Sequence, residues 1–215
     1  MPKLDTYLFD LDGTLIDSLE LILKSYRHTL MVHRGSAPAD EVWKAGIGTP
    51  LRTQLAPFAE DAAEVERMVD TFREYNFANH DRMMRSFPGT RDAVSALKAN
   101  GNKVGIVTSK ARKGTKKGLI TCGLTGLFET IVAADDVDKH KPDPTPVFQA
   151  LELLSADAER TVFIGDSRFD MAAGRDAGVR TAAALWGPFE RTDLEPYSPN
   201  YWLNEPADIL RIEID

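Results

Sequence analysis

The sequence predicts an α/β fold, a doubly wound, Rossmann-like parallel sheet core with an inserted helical cap domain. Three observations lead there. Five short apolar runs rich in β-branched and aromatic residues, at 6–10, 104–108, 130–133, 161–165 and 180–185, alternate with longer stretches of helical spacing. Each run is apolar almost throughout, as a strand must be when helices cover both of its faces. The stretch from about residue 19 to 85 reads as helix throughout, which is too long for a single crossover.

The elements follow in order. After the first strand, helical patterns at 19–31 and 62–75 flank a broken region, Gly46-Ile47-Gly48-Thr49-Pro50. This insert is entered through Ile16-Asp17-Ser18 and left through Phe87-Pro88-Gly89, both suited to hinges. The chain therefore divides into a core of residues 1–17 plus 87–215 and a cap of residues 18–86. A helix at 90–100 carries Ala93, Val94 and Leu97 on one face, with Gly101 where a C-terminal cap belongs. Further crossovers are expected at 112–121, before Cys122-Gly123, and at 146–154, where Val147, Ala150, Leu151 and Leu154 form one stripe.

Composition narrows the function. At 215 residues and 43% hydrophobic, the chain buries a full core with room for a modest insert. No run of about eighteen apolar residues exists, and Asp10 and Asp12 interrupt the stretch a signal peptide would need, so the expectation is a soluble, cytoplasmic protein with no membrane partner. The single cysteine, Cys122, reads as a small apolar residue in a reducing compartment. A net charge of -7 argues against a nucleic-acid partner, which calls for a basic surface. The local exception is the basic cluster from Lys110 to Lys117. A solvated helix face explains it better than a nucleic-acid patch, and it also suits a funnel for an anionic substrate.

Four clusters carry the chemistry. The first strand ends in Asp10-Leu11-Asp12-Gly13-Thr14, at the edge where open α/β sheets bind ligands. Alternation along an extended strand puts Asp10 and Asp12 on one face, although taken alone an Asp-x-Asp is more often a strand end with acidic caps. The second strand ends in Thr108-Ser109, hydroxyls that hold phosphate oxygens or merely cap a helix. Lys141, in His140-Lys141-Pro142-Asp143-Pro144, is either a solvated surface lysine or a cation positioned by a proline-stiffened loop. The fourth strand ends in Gly165-Asp166-Ser167-Arg168-Phe169-Asp170, carboxylates that suit a hard cation and also cap the following helix.

These four clusters, in this order at the ends of parallel strands, resemble the motifs of the haloacid dehalogenase superfamily, and the resemblance spans essentially the whole chain. It implies that Asp10 is a nucleophile and that Asp12 is the general acid and then the base. It implies Mg2+ held by the carboxylates of Asp10 and Asp166 and the backbone carbonyl of Asp12, with Asp170 orienting groups behind. Thr108, Ser109 and Lys141 would bind the phosphate, and Lys141 would also offset charge as the carboxylate meets the phosphoryl group. Dehalogenases of the superfamily lack the second aspartate in that role, so the resemblance favours a magnesium-dependent phosphohydrolase that passes through a phospho-aspartyl intermediate. A phosphomutase of the β-phosphoglucomutase type shares the four motifs and stays open. A non-catalytic phosphate-binding module would be expected to lose one of Asp10, Asp12, Lys141 or Asp166, and all are present.

A finer similarity is to the phosphoglycolate phosphatase group and its bacterial inorganic pyrophosphatase relatives. It rests on Gly46-Ile47-Gly48-Thr49-Pro50-Leu51-Arg52, on the segment from Tyr75 to Asp81, and on Trp186-Gly187 with Tyr197, Asn200 and Tyr201. The implied partner is a small phosphorylated metabolite or pyrophosphate. Arg52 either reaches a second anionic group of that substrate or faces water. His80 and Asp81 read as a hinge-side pair, and Trp43, Phe58 and Trp202 as core. Oligomeric state has no signal in the sequence.

Overall fold

The computed structural model describes residues 3–212, so residues 1–2 and 213–215 of the spans assigned above lie outside it. The chain opens with strand β1 (Thr6–Phe9) and a two-residue strand β2 (Ile16–Asp17). Helices α1 (Leu19–Arg34), α2 (Asp40–Lys44), α3 (Leu51–Leu55) and α4 (Ala62–Met83) follow, and β3 (Arg85–Ser86) closes the insert. Then come α5 (Thr90–Ala99), β4 (Lys103–Val107), α6 (Arg112–Thr121), β5 (Thr130–Val132) and α7 (Thr145–Leu154). The chain continues with β6 (Thr161–Gly165), α8 (Arg168–Asp176), β7 (Arg180–Ala184), α9 (Arg191–Leu194) and β8 (Tyr201–Leu203).

Six strands form one sheet in the order β5-β4-β1-β6-β7-β8, and every neighbouring pair is parallel. The period of two sorts the strand residues between the helical layers. Tyr7, Phe9, Val104, Ile106, Val162 and Ile164 enter one apolar cluster with α5 and α6, while Leu8, Val107 and Phe163 enter another with α7 and α8. Both faces are covered, which is why these runs are apolar without alternation. The five expected strands are present within one residue at each end. The sixth, β8, is an addition: its three residues, Tyr-Trp-Leu, are too short a run to stand out, and pairing with β7 makes them a strand.

The order reverses at β1, since β4 and β5 build outward on one side and β6, β7 and β8 on the other. Such a switch point opens a crevice at the carboxyl ends of the central strands. Residues leaving β1, β4 and β6 converge there.

The helices between β2 and β3 pack around their own cluster, which includes Leu23, Tyr26, Leu30, Trp43, Leu55, Met68, Val69 and Phe72. Tyr26 stacks on Trp43 at 4.4 Å between ring centroids, and Phe58 lies 4.8 Å from Trp43. Helix α4 runs eight residues beyond the expected end at 75, because Asn76 and His80 continue its buried stripe with polar side chains. The two connections to the insert are paired to each other: Ile16 with Ser86 and Asp17 with Arg85, antiparallel. No helix among the described residues is long and apolar enough to cross a membrane.

Candidate active site

Asp10 follows β1 directly, and its backbone N–H donates to the Ile164 carbonyl of β6 at 2.9 Å, fixing it in the crevice. Lys141 arrives from the loop before α7, where the Lys141–Pro142 peptide is cis. The Lys141 ammonium donates to Asp10 Oδ1 at 2.7 Å, Asp170 Oδ1 at 2.5 Å and the Val107 carbonyl at 3.2 Å. Three acceptors meet its three N–H donors and the side chain is only 1% exposed, so of the two readings of Lys141 the solvated surface lysine falls away and the positioned cation stands.

Asp170 is held from its other side by the start of α8. Its Oδ2 accepts from the Ser167 backbone N–H at 3.0 Å and from Ser167 Oγ at 2.5 Å, and the Asp170 backbone N–H donates back to Ser167 Oγ at 3.3 Å, completing the capping box that begins α8. Asp166, one residue past β6, accepts from Thr14 Oγ1 at 2.9 Å through Oδ1, while its buried Oδ2 has no partner among the described residues. Gly13 makes this approach possible: it adopts φ +91°, and a Cβ there would sit 2.5 Å from Asp166 Oδ2. Trp186 Nε1 donates to the Thr14 carbonyl at 2.8 Å and ties the late Trp186-Gly187 segment to the same loop.

Oxygens of Asp10, Asp166 and Asp170 lie within 4.8 Å of one another, all buried. One ammonium faces three carboxylates. Burial pushes Asp10 up to about 7 against the pull of Lys141, with the Asp170 charge adding to the rise. Burial also raises Asp166 well above the ordinary carboxylate range, helped by the charges of Asp10 and Asp170. For Lys141, burial alone would lower the pKa, but the charges of Asp10 and Asp170 outweigh it and hold the ammonium form. The unpartnered Asp166 oxygen, the hard-oxygen donor set and the unbalanced negative charge together fit a small divalent cation.

Thr108 and Ser109 sit beside this cluster at the end of β4. Thr108 Oγ1 accepts from the Lys110 N–H at 3.2 Å, and Ser109 Oγ is buried with no partner among the described residues. Asp12 turns to a separate cation, with its two oxygens 2.9 and 3.0 Å from Lys110 Nζ. Sequence reasoning placed Lys110 in the basic cluster and missed this contact. The available signal was its position directly after Thr108-Ser109. The rest of that cluster is partly neutralised, Arg112 by Asp136 and Lys117 by Asp81.

The glycine loop of the insert lies against α8. A Cβ on Gly48, at φ +103°, would come within 2.9 Å of the Phe169 ring and 3.0 Å of Ser167 Oγ, and Arg168 donates to the Ala45 carbonyl at 2.9 Å. Arg52 is not brought into the carboxylate cluster. Its Nε and Nη2 donate to both oxygens of Glu66 at 2.5 and 2.7 Å, because α3 and α4 lie side by side on the exposed face of the insert. His80 and Asp81 meet Thr121 of α6 at 3.3 and 3.0 Å. Burial, followed by the Asp12 charge, pushes the Cys122 thiol up to about 11, in keeping with an apolar role.

The sequence profile of the haloacid dehalogenase-like hydrolases matches residues 7–184. The chain belongs to this family. Among curated relatives of this haloacid dehalogenase-like hydrolase, pyrophosphatase PpaX of Bacillus mycoides is 39% identical over 210 residues, covering 98% of this chain and 97% of the relative. A haloacid dehalogenase-like family hydrolase from Streptococcus pneumoniae has a solved structure that superposes with a TM-score of 0.84 at 25% identity, covering 97% of both chains. The structure of a predicted phosphoglycolate phosphatase from Haemophilus somnus superposes at 0.89 with 24% identity, covering 99% of both, a likeness of fold. The chain is thus a hydrolase of the phosphatase branch of its family.

Proposed function

We propose that this hydrolase cleaves a small phosphate compound, inorganic pyrophosphate ahead of phosphoglycolate, with magnesium and through a phospho-aspartyl intermediate on Asp10. The observation that carries the reading is the buried set of three carboxylates beside one ammonium, with an Asp166 oxygen left without a partner among the described residues. The 39% identity to a pyrophosphatase supports the first substrate. Asp10 and Asp166, with the Asp12 backbone carbonyl, would hold the magnesium, which supplies positive charge to the phosphoryl oxygens when bound.

Phosphoryl transfer is mostly alignment and charge neutralisation. Asp10 supplies the attacking oxygen: a P–O bond forms to its carboxylate as the bond to the leaving oxygen breaks, and Asp12 gives that oxygen its proton. Asp12 then takes a proton from water, whose oxygen attacks phosphorus and returns Asp10 to a carboxylate with release of phosphate. Lys141 keeps Asp10 ionised and in place, and the hydroxyls of Thr108 and Ser109 donate to phosphoryl oxygens. Residues 18–86 act as a cap that encloses a small substrate, and the enzyme works in the cytoplasm.

The test is phosphate release from pyrophosphate, phosphoglycolate and a panel of sugar phosphates, with magnesium and with a chelator. Magnesium-dependent release from pyrophosphate is expected, and Asp10→Asn should lower it by at least about 10⁴-fold while leaving the far-UV spectrum unchanged. Retained turnover in Asp10→Asn would sink the mechanism. Isomerisation of β-glucose 1-phosphate without phosphate release would replace the hydrolase with a mutase.

A further inference from the structure

Resting on the phosphohydrolase reading, we propose that Lys110 is a specificity-determining residue whose ammonium binds the second, departing phosphate of a pyrophosphate-type substrate, exchanging its present partner Asp12 for that anion. The site has two cations in different settings. Lys141 and Asp10, on the attacking side, have side chains 1% and 7% exposed. Lys110 and Asp12 have side chains 15% and 17% exposed. The second pair is the one that opens toward solvent, where a leaving group must depart.

Lys110 is built into this position. Its backbone N–H donates to Thr108 Oγ1, and its carbonyl accepts from the Ala134 N–H at 3.0 Å. Its stem lies along α6 at Gly114, where an added Cβ would sit 3.2 Å from Lys110 Cε. A lysine held at both its backbone and its stem presents its charge in one place, unlike a solvated surface lysine.

In-line displacement sets the rest. Asp10 attacks from one side, so the leaving oxygen lies opposite, within hydrogen-bond reach of Asp12. Whatever is bonded to that oxygen therefore lies beside Asp12, and Lys110 Nζ is already within 3.0 Å of both Asp12 oxygens. When the leaving group is an alcohol, this neighbour is neutral carbon. When it is phosphate, the neighbour carries several anionic oxygens that would face a carboxylate unless a cation stood between them. Lys110 meets that need, and it favours a substrate whose leaving group is charged before the reaction begins.

The measurement is calorimetric binding, with magnesium present, of imidodiphosphate and separately of inorganic phosphate to wild type, Lys110→Met and Lys110→Arg. Lys110→Met should raise the dissociation constant for imidodiphosphate on the order of 30-fold, as for a lost charge-assisted hydrogen bond, while that for phosphate moves less than about threefold. Lys110→Arg should recover most of the loss, which also controls for misfolding. In turnover, KM for pyrophosphate should rise by more than kcat falls. Equal weakening of both ligands would overturn the proposal, because Lys110 would then act only through the placement of Asp12. So would a wild type that binds imidodiphosphate no more tightly than phosphate. Failure of the phosphohydrolase reading has a different signature: no phosphate released from pyrophosphate by wild type, whatever the binding constants.

Discussion

The rim of the parallel sheet and the helical insert both carry ion pairs, but the two regions place them differently. At the rim, Lys141 is sealed between Asp10 and Asp170, with Asp166 alongside and no solvent to share the charge. In the insert, Arg52 and Glu66 meet with side chains 56% and 51% exposed, and the weight of stabilisation falls on the aromatic cluster of Tyr26, Trp43, Phe58 and Phe72. Desolvating ions costs more than apolar packing of the same volume. A fold with no chemistry to do would fill the rim with hydrophobic side chains, as the insert does. The contrast sets the buried charge that the proposed mechanism uses against charge that merely solvates a surface.

Removing the rim cation should have the largest effect on the comparison. Lys141→Met is expected to lower kcat on the order of 10³-fold and to cost about 3–5 kcal/mol of stability, because the buried carboxylates of Asp10 and Asp170 lose the ammonium that pairs with both. The deficit should depend on pH with a definite sign. Burial raises Asp10 to about 7 and raises Asp166 even with Lys141 pulling both down; without that pull both rise further, so the folded variant holds more protons than the folded wild type, and its deficit should grow as pH rises through about 7 and above. Urea unfolding at several pH values measures this, and a pH-independent loss would contradict it.

A smaller effect is expected from the best-formed pair of the insert. Arg34 donates to both oxygens of Glu64, and these bonds, followed by one from the Glu60 N–H, hold the Glu64 carboxyl down at about 2. A depressed acid stabilises fully above its unfolded pKa of about 4.3 and loses that contribution as pH falls toward its folded value. Glu64→Gln should therefore melt below wild type at pH 7, with the gap narrowing from about pH 4.5 downward and closing near pH 2. A constant gap would show that the glutamine perturbs packing instead.

The smallest effect belongs to the exposed pair. Arg52→Ala should leave KM for pyrophosphate within about threefold of wild type, since an exposed pair on the insert contributes little. A tenfold rise, on the order of one lost charge-assisted hydrogen bond, would show that Arg52 leaves Glu66 and reaches the substrate when it binds.

Much of the architecture is legible in the residues because burial on both faces forces an apolar run. The runs at 6–10 and 161–165 coincide with β1 and β6 to within a residue, and Gly101 takes the left-handed conformation expected of a helix terminus. Strand β8 is not legible, since three residues carry no periodicity of their own. Nor is the β2–β3 pairing, made by two residues on each side of a long insert. Within the site, residues adjacent to strand ends could be named from position alone. Their partners could not: Lys141 reaches Asp10 across 131 residues and Lys110 reaches Asp12 across 98.

The sequence by itself determined the α/β class, the short segment that holds each chemical cluster and the edge of the sheet where they gather, because strand burial and strand direction are local consequences of residue pattern. Only the tertiary structure decided which charge meets which. It gave Lys141 to Asp10 and Asp170, Lys110 to Asp12 and Arg52 to Glu66, and it left one oxygen of Asp166 without a partner among the described residues. Ion pairing depends on distances of a few ångströms between segments far apart in the chain, and those distances are set by how strands order and helices pack, which no single stretch of residues encodes.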